Sequence, residues 1–109
     1  MALPEQNRIR RTRDFETIFK KGRSISGTFL FIKSVPAASG VTRFAFVVSS
    51  KVAKSAVNRN RIRRTLSAAA RNLIPRLAKA WDMVVVVTKP AEVQDLKKDF
   101  IDLIGKARL

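Results

Sequence analysis

Cysteine, histidine and tyrosine are absent from this chain of 109 residues, and glycine and proline occur only four times each. Without cysteine there is no disulfide framework and no thiolate nucleophile, and without histidine there is neither an imidazole base nor a ligand set for zinc. Metal–thiolate and serine–histidine chemistry are thereby excluded. Long apolar runs are missing too: none is longer than Met83 to Val87, far short of a membrane span, and no apolar stretch follows the early arginines as it would in a secretory leader. The expectation is a soluble, intracellular, cytoplasmic protein with no membrane partner. Its 46% apolar content suits one globular domain over 1–109, with a modest core.

Carboxylates are scarce as well, and their placement says more than their number. All eight (Glu5, Asp14, Glu16, Asp82, Glu92, Asp95, Asp99 and Asp102) lie towards the two ends, and residues 17–81 contain none while holding 14 lysines and arginines. The net charge of +15 therefore has no local compensation through the middle of the chain. A polyanion is the natural complement, and nucleic acid is the polyanion that such a charge footprint suits.

Periodicity divides the chain into a short series of elements. Phe15, Ile18 and Phe19 share one face of a helix over Thr12–Lys21, with Thr12 as N-cap, Gly22 just beyond the end, and Asp14, Glu16, Lys20 and Lys21 in the charge order that the helix dipole favours. Two stretches rich in β-formers, Thr28–Val35 and Arg43–Ser49, flank the turn-like segment 36–40 and are expected as antiparallel strands joined by a loop; Arg23–Ser26 is expected as a short extra strand. A second helix starts near Ser55 or Asn58 and runs to about Leu73, where Pro75 ends it, with a further turn over 76–80. Its Ile62, Leu66, Ala69 and Leu73 form one face, and Arg59, Asn60, Arg61, Arg63, Arg64 and Arg71 spread over the other. Met83–Thr88 reads as a strand buried on both faces, and Glu92–Lys106 as an amphipathic helix covering the sheet. The order α-β-β-α-β-α gives an α+β fold, a two-layer sandwich of one central mixed sheet with packed helices.

Two constellations carry chemistry. The first is Asn58-Arg59-Asn60-Arg61-Ile62-Arg63-Arg64, whose guanidinium forks and amide groups match phosphate oxygens, ribose and base edges at the start of a helix. A merely solvated helix face would interleave its arginines with glutamates at i,i+4, and none is within reach. The second is Phe15 and Phe19 behind Arg8, Arg10, Arg11 and Arg13. Aromatics among cations can stack unpaired bases, whereas their helical spacing alone favours ordinary core packing.

These residues resemble the protein subunit of bacterial ribonuclease P. The resemblance runs through Leu3-Pro4 with Asn7-Arg8-Ile9, Arg13-Asp14-Phe15 with Ile18-Phe19 and Gly22, Arg59-Asn60-Arg61 with Arg63-Arg64, and Asp82 to Val87 with Lys89-Pro90. It implies an accessory protein, non-catalytic alone, of a ribonucleoprotein endonuclease that removes the 5′ leader from precursor tRNA, with magnesium held mainly by the RNA subunit and substrate. It implies a left-handed crossover between parallel strands, and a leader cleft lined by Phe15, Phe19, Lys51, Arg59, Asn60 and Arg63. Arg8, Arg11, Arg13, Arg61, Arg64 and Arg71 would meet the RNA subunit and backbone. The implied partners are that RNA and precursor tRNA, with no obligate protein partner. Ser50, Ala53 and Ser67 depart from the family's usual lysine, glycine and basic residue. The alternatives from other classes are a small ribosomal protein that binds rRNA and a DNA-binding protein, the latter lacking helix-turn-helix spacing. The scattered carboxylates offer no cluster for a stand-alone metal nuclease.

Overall fold

The run Met83-Val84-Val85-Val86-Val87 has no polar face to give to water, so its strand belongs in the middle of a sheet. A computed structural model, which describes residues 3–107 and Leu109, places it there. The elements are α1 (Thr12–Lys21), β1 (Arg23–Ser26), β2 (Leu30–Pro36), β3 (Arg43–Val48), α2 (Ala56–Leu73), β4 (Trp81–Val87) and α3 (Val93–Ala107), with short 3-10 turns at Glu5–Asn7 and Ile74–Arg76. The sheet order is β1-β2-β4-β3. β4 pairs antiparallel with β2, from Leu30↔Val87 to Pro36↔Trp81, and parallel with β3, from Arg43↔Asp82 to Val48↔Val87. The mixed α+β sheet and its flanking helices are as expected from the sequence.

The link between β2 and β3 is not. These strands do run in opposite directions, but β4 lies between them, so the segment after Pro36 spans two strand spacings, about 10 Å, instead of closing a hairpin. Gly40, at φ 78°, makes its turn, and the Ala37 N–H donates to the Ala80 carbonyl at 3.0 Å, tying the connection to the start of β4. Strand propensity marks β2 and β3 as strands without saying which neighbour each takes. The parallel β3–β4 pair in turn obliges residues 49–80 to cross the sheet, and α2 makes that crossing.

Side chains alternate along β4, and each face has its own cover. Met83, Val85 and Val87 join Leu30, Ile32, Phe44 and Val48 beneath α2 and α3, where Ile62, Leu66, Leu73, Leu96, Phe100 and Leu103 complete the main core. Phe44, Phe46 and Phe100 meet there at centroid distances of 5.8–6.1 Å. On the opposite face Val84 packs with Ile18 of α1 and Ile9 of the preceding segment, with Phe15, Val35, Ala45 and Val86 half-buried around them. Helices thus lie on both faces, but the second face has only the ten residues of α1 and the short segment before it for cover.

Two polar anchors hold these layers. Arg43 sits opposite Asp82 in the sheet register and grips it with two bonds, Nε to Oδ1 at 2.9 Å and Nη2 to Oδ2 at 2.8 Å, while its Nη1 reaches Asp14 of α1 at 3.3 Å. Asp82, first through its hydrogen bond and then through its charge, raises the Arg43 pKa above its ordinary value. On the other side Asp99 of α3 accepts the Thr28 and Phe29 N–H groups at 3.1 and 2.8 Å, fixing the β1–β2 turn. At the end of α1, Gly22 is needed for close approach and not for a left-handed backbone: a Cβ there would collide with the Ile18 carbonyl oxygen. The expected N-cap is displaced by one residue, Arg11 holding that position with no side-chain cap bond and Thr12 opening the helix.

Candidate nucleic-acid interface

α2 begins at the earlier of its two expected starts, because the Ser55 hydroxyl accepts the Asn58 N–H at 3.1 Å and caps the helix. From there the 3.6-residue period distributes the arginines around the helix. Ile62, Leu66, Ala69, Ala70 and Leu73 face the core. Arg63 and Ser67 fall on the flank beside β3, Asn60 and Arg64 on the crest, and Arg61, Thr65 and Ala68 on the flank beside α3. Arg59 departs from the expected polar face. At about 100° per residue it stands within roughly 60° of Ile62, and its half-buried guanidinium turns back, Nη1 donating to the carbonyls of Ala53 and Lys54 at 2.9 Å each. Arg59 therefore fastens the β3–α2 connection to the helix start. Asn60 accepts a hydrogen bond from Arg63, which pre-orients that arginine.

On the β3 flank a cleft opens between the N-terminal segment, α1, the sheet and α2. Its pocket of about 240 Å³ is lined by Arg8, Phe15, Ala45, Phe46, Arg63 and Ser67, among others. Backbone pairing explains the near wall: the Ile9 N–H donates to the Phe44 carbonyl at 3.0 Å, laying Arg8 and Ile9 alongside β3. Phe15 has one side in the small apolar cluster and the other in the pocket. Phe19 is 41% exposed, whereas Ile18 between them is buried, so the core reading of the helical spacing belongs to Ile18, fails for Phe19 and half-applies to Phe15. Ser67 lines the same pocket one turn past Arg63.

Of the residues singled out from sequence, the cleft brings together Arg8, Phe15 and Arg63, and the crest of α2 brings Asn60, Arg63 and Arg64. Lys51 is exposed in the turn after β3, Arg11 and Arg13 are exposed at the start of α1, and Arg71 is exposed near the end of α2; none of them lines these pockets. Sequence reasoning missed Lys97 of α3, which shares a groove with Arg61 and Arg64. Its signal was present: no acid lies three or four residues away on either side. The concavities connect through shared arginines, Arg63 belonging to both cleft and crest, Arg64 to both crest and groove. Among the described residues the ion pairs are Arg10–Glu5, Arg43–Asp14 and Arg43–Asp82, so no arginine of α2 is in ion-pair contact with a carboxylate, and the acid that shares a pocket with one of them is Glu92, beside Arg61.

No group of three or more acidic side chains among the described residues is arranged to hold a metal ion. Asp14 and Asp82 are engaged by Arg43, and Asp99 by backbone N–H groups. Among the described residues this donor set does not fit a magnesium site.

Comparison with known proteins places this geometry. The Ribonuclease P family profile matches residues 3–108. The ribonuclease P protein component of Pseudanabaena sp. is 40% identical over 98% of this chain and 96% of its own, and that of Syntrophomonas wolfei is 34% identical over 98% and 92%. In fold, the chain is similar to the RNase P protein of Staphylococcus aureus (TM-score 0.84, 23% identity, 94% and 95% of the two chains). It is also similar to that of Thermotoga maritima (TM-score 0.78, 24% identity, 91% and 96%).

Proposed function

From the premise that this chain belongs to the ribonuclease P protein family, we propose that it binds the RNA subunit of that enzyme and the 5′ leader of precursor tRNA, and so assists leader removal in the cytoplasm. The observation that carries this reading is the cleft in which an aromatic face, Phe15, stands across from Arg63 on a carboxylate-free helix. A single strand asks for that combination: π-faces for unstacked bases and cations along the phosphates. Arg8 stands in the near wall of the cleft, Phe19 extends the aromatic face of α1 towards solvent, and Asn60 holds Arg63 in place. Lys51 and Arg59 stand at the mouth of α2, the former free to meet phosphate and the latter securing the turn that presents it. Arg61 and Arg64, with Arg11, Arg13 and Arg71 as outlying cations, face the RNA subunit.

Magnesium belongs to the RNA and substrate in this proposal, since the described residues hold no cluster of three or more carboxylates and Asp14, Asp82 and Asp99 are already engaged. The family membership displaces the ribosomal and DNA-binding readings. Reconstitution tests the proposal: adding the protein to a ribonuclease P RNA at low magnesium should restore cleavage of precursor tRNA, while RNA-free protein with magnesium leaves it intact. Cleavage by the protein alone, or processing by the RNA that the protein does not improve, would overturn it.

A further inference from the structure

α3 reads from sequence as a helix devoted to the core, yet one of its lysines stands apart from the mixed charges around it. Lys98 has Asp95 three residues before it and Asp102 four after, whereas Lys97 has Gln94, Val93, Phe100 and Ile101 at those spacings. Lys97 is exposed and, among the described residues, within ion-pair distance of no carboxylate. Across from it α2 presents Arg61 and Arg64, and the floor between the helices is Thr65 and Ala68, small enough to leave a groove of about 420 Å³. Three cations converge on this concavity, and no acid lines it.

We propose that the α2–α3 groove, formed by Arg61, Arg64 and Lys97, is a second binding surface for an RNA backbone, on the flank of α2 opposite the cleft. The inference rests on the reading of the chain as an RNA-binding ribonuclease P protein and extends its RNA surface onto α3. RNA fits better than an acidic protein segment for two reasons. The lining offers no large apolar side chain to anchor a peptide, and phosphate binding needs only the cations present. Arg64 also lines the crest pocket with Arg63, so the groove continues the cationic track that leads round α2 from the cleft.

The experiment uses the full chain, a ribonuclease P RNA and a salt titration of their binding, with Lys97→Ala, Lys97→Glu and, as control, Lys98→Ala. Counterion release from one phosphate contact predicts that Lys97→Ala flattens the slope of log K against log salt by about 0.7–0.9 and weakens binding by about five- to eightfold at about 0.1 M salt. Lys97→Glu should weaken it further, Lys98→Ala should match the parent, and the preference for precursor over mature tRNA should be unchanged in all three. Because Lys97 is exposed, melting temperatures should stay with the parent. A Lys97→Ala slope equal to that of the parent overturns the proposal and leaves the groove to another occupant such as an acidic peptide. Failure of the parent chain to bind the RNA at all would instead remove the functional reading on which the groove's partner depends.

Discussion

Removing the Arg43 guanidinium should separate the stability of α1's attachment from the charge of the RNA surface. Arg43→Gln deletes the fork on Asp82 and the single bond to Asp14, leaving two carboxylates on one side of the sheet with no cation. Burial sets the cost. An exposed pair contributes about 0–1 kcal/mol, and stripping one partner from a fully buried pair costs about 3–5 kcal/mol. The Asp82 side chain keeps only 10% of its exposure while those of Arg43 and Asp14 keep 24% and 27%, so a loss of about 2–3 kcal/mol is expected. For a domain of this size that lowers the melting temperature by roughly 10–15 °C. Asp14→Ala removes one longer, wetter contact and should cost about 0.5–1 kcal/mol. The arginine contributes no pH dependence of its own: its pKa is raised, so its contribution is complete below the ordinary value and is lost only above it, outside any working range. Thermal denaturation followed by circular dichroism, at neutral pH and with the two variants side by side, measures both. A melting temperature for Arg43→Gln within a degree or two of the parent would refute the argument, as would an Asp14→Ala cost equal to that of Arg43→Gln.

Three further outcomes follow from the same geometry. Binding to the RNA subunit should weaken with salt at a slope of about −4 to −5, for about six neutralised phosphates; a slope near zero in a filter-binding titration would reject the electrostatic account. Phe15→Ala or Phe19→Ala should cost stacking of about 1–3 kcal/mol per base in precursor tRNA binding and spare mature tRNA, whereas Arg61→Ala with Arg64→Ala should loosen the RNA subunit with or without a leader. Phe15→Ala should lower the melting temperature as well, and Phe19→Ala should not, since only Phe15 packs in the apolar cluster. Gly22→Ala forces a methyl group onto the Ile18 carbonyl and should destabilise the fold by about 2–3 kcal/mol, visible in a urea midpoint.

How far the sequence could be read depended on whether a signal was local. The three helices and four strands were legible because each carries its own period or propensity, and β4 was legible as the interior strand because valine on both faces leaves it no solvent side. Strand adjacency was not legible. Nothing within residues 36–42 says that the chain passes over a strand it has not yet made, and the insertion of β4 is decided by burial of residues more than 40 positions later. The same limit governs the site. The acid-free interval 17–81 announces a polyanion partner because charge acts at a distance and survives any folding of the chain.

Which arginine does what is set instead by neighbours. Arg59 looks equivalent to Arg61 in the sequence, yet its position near the core flank gives it two backbone carbonyls to bind before any phosphate arrives. Phe15 and Phe19 are equally ambiguous, because helical spacing finds an apolar face without revealing how much of it is covered. Ten residues of α1 cannot cover the second face of a four-stranded sheet, and Ile18 with Ile9 of the preceding segment buries Val84 at its centre. The incompletely covered remainder, the half-buried Ala45 and Val86 grouped with Phe15 and the exposed Val47, is apolar surface that a folded monomer would ordinarily bury. On the proposed function, it is Arg63 of the basic helix α2, lining the same pocket as Phe15 and Ala45, that would make this gap in the core suit an unstacked nucleotide chain.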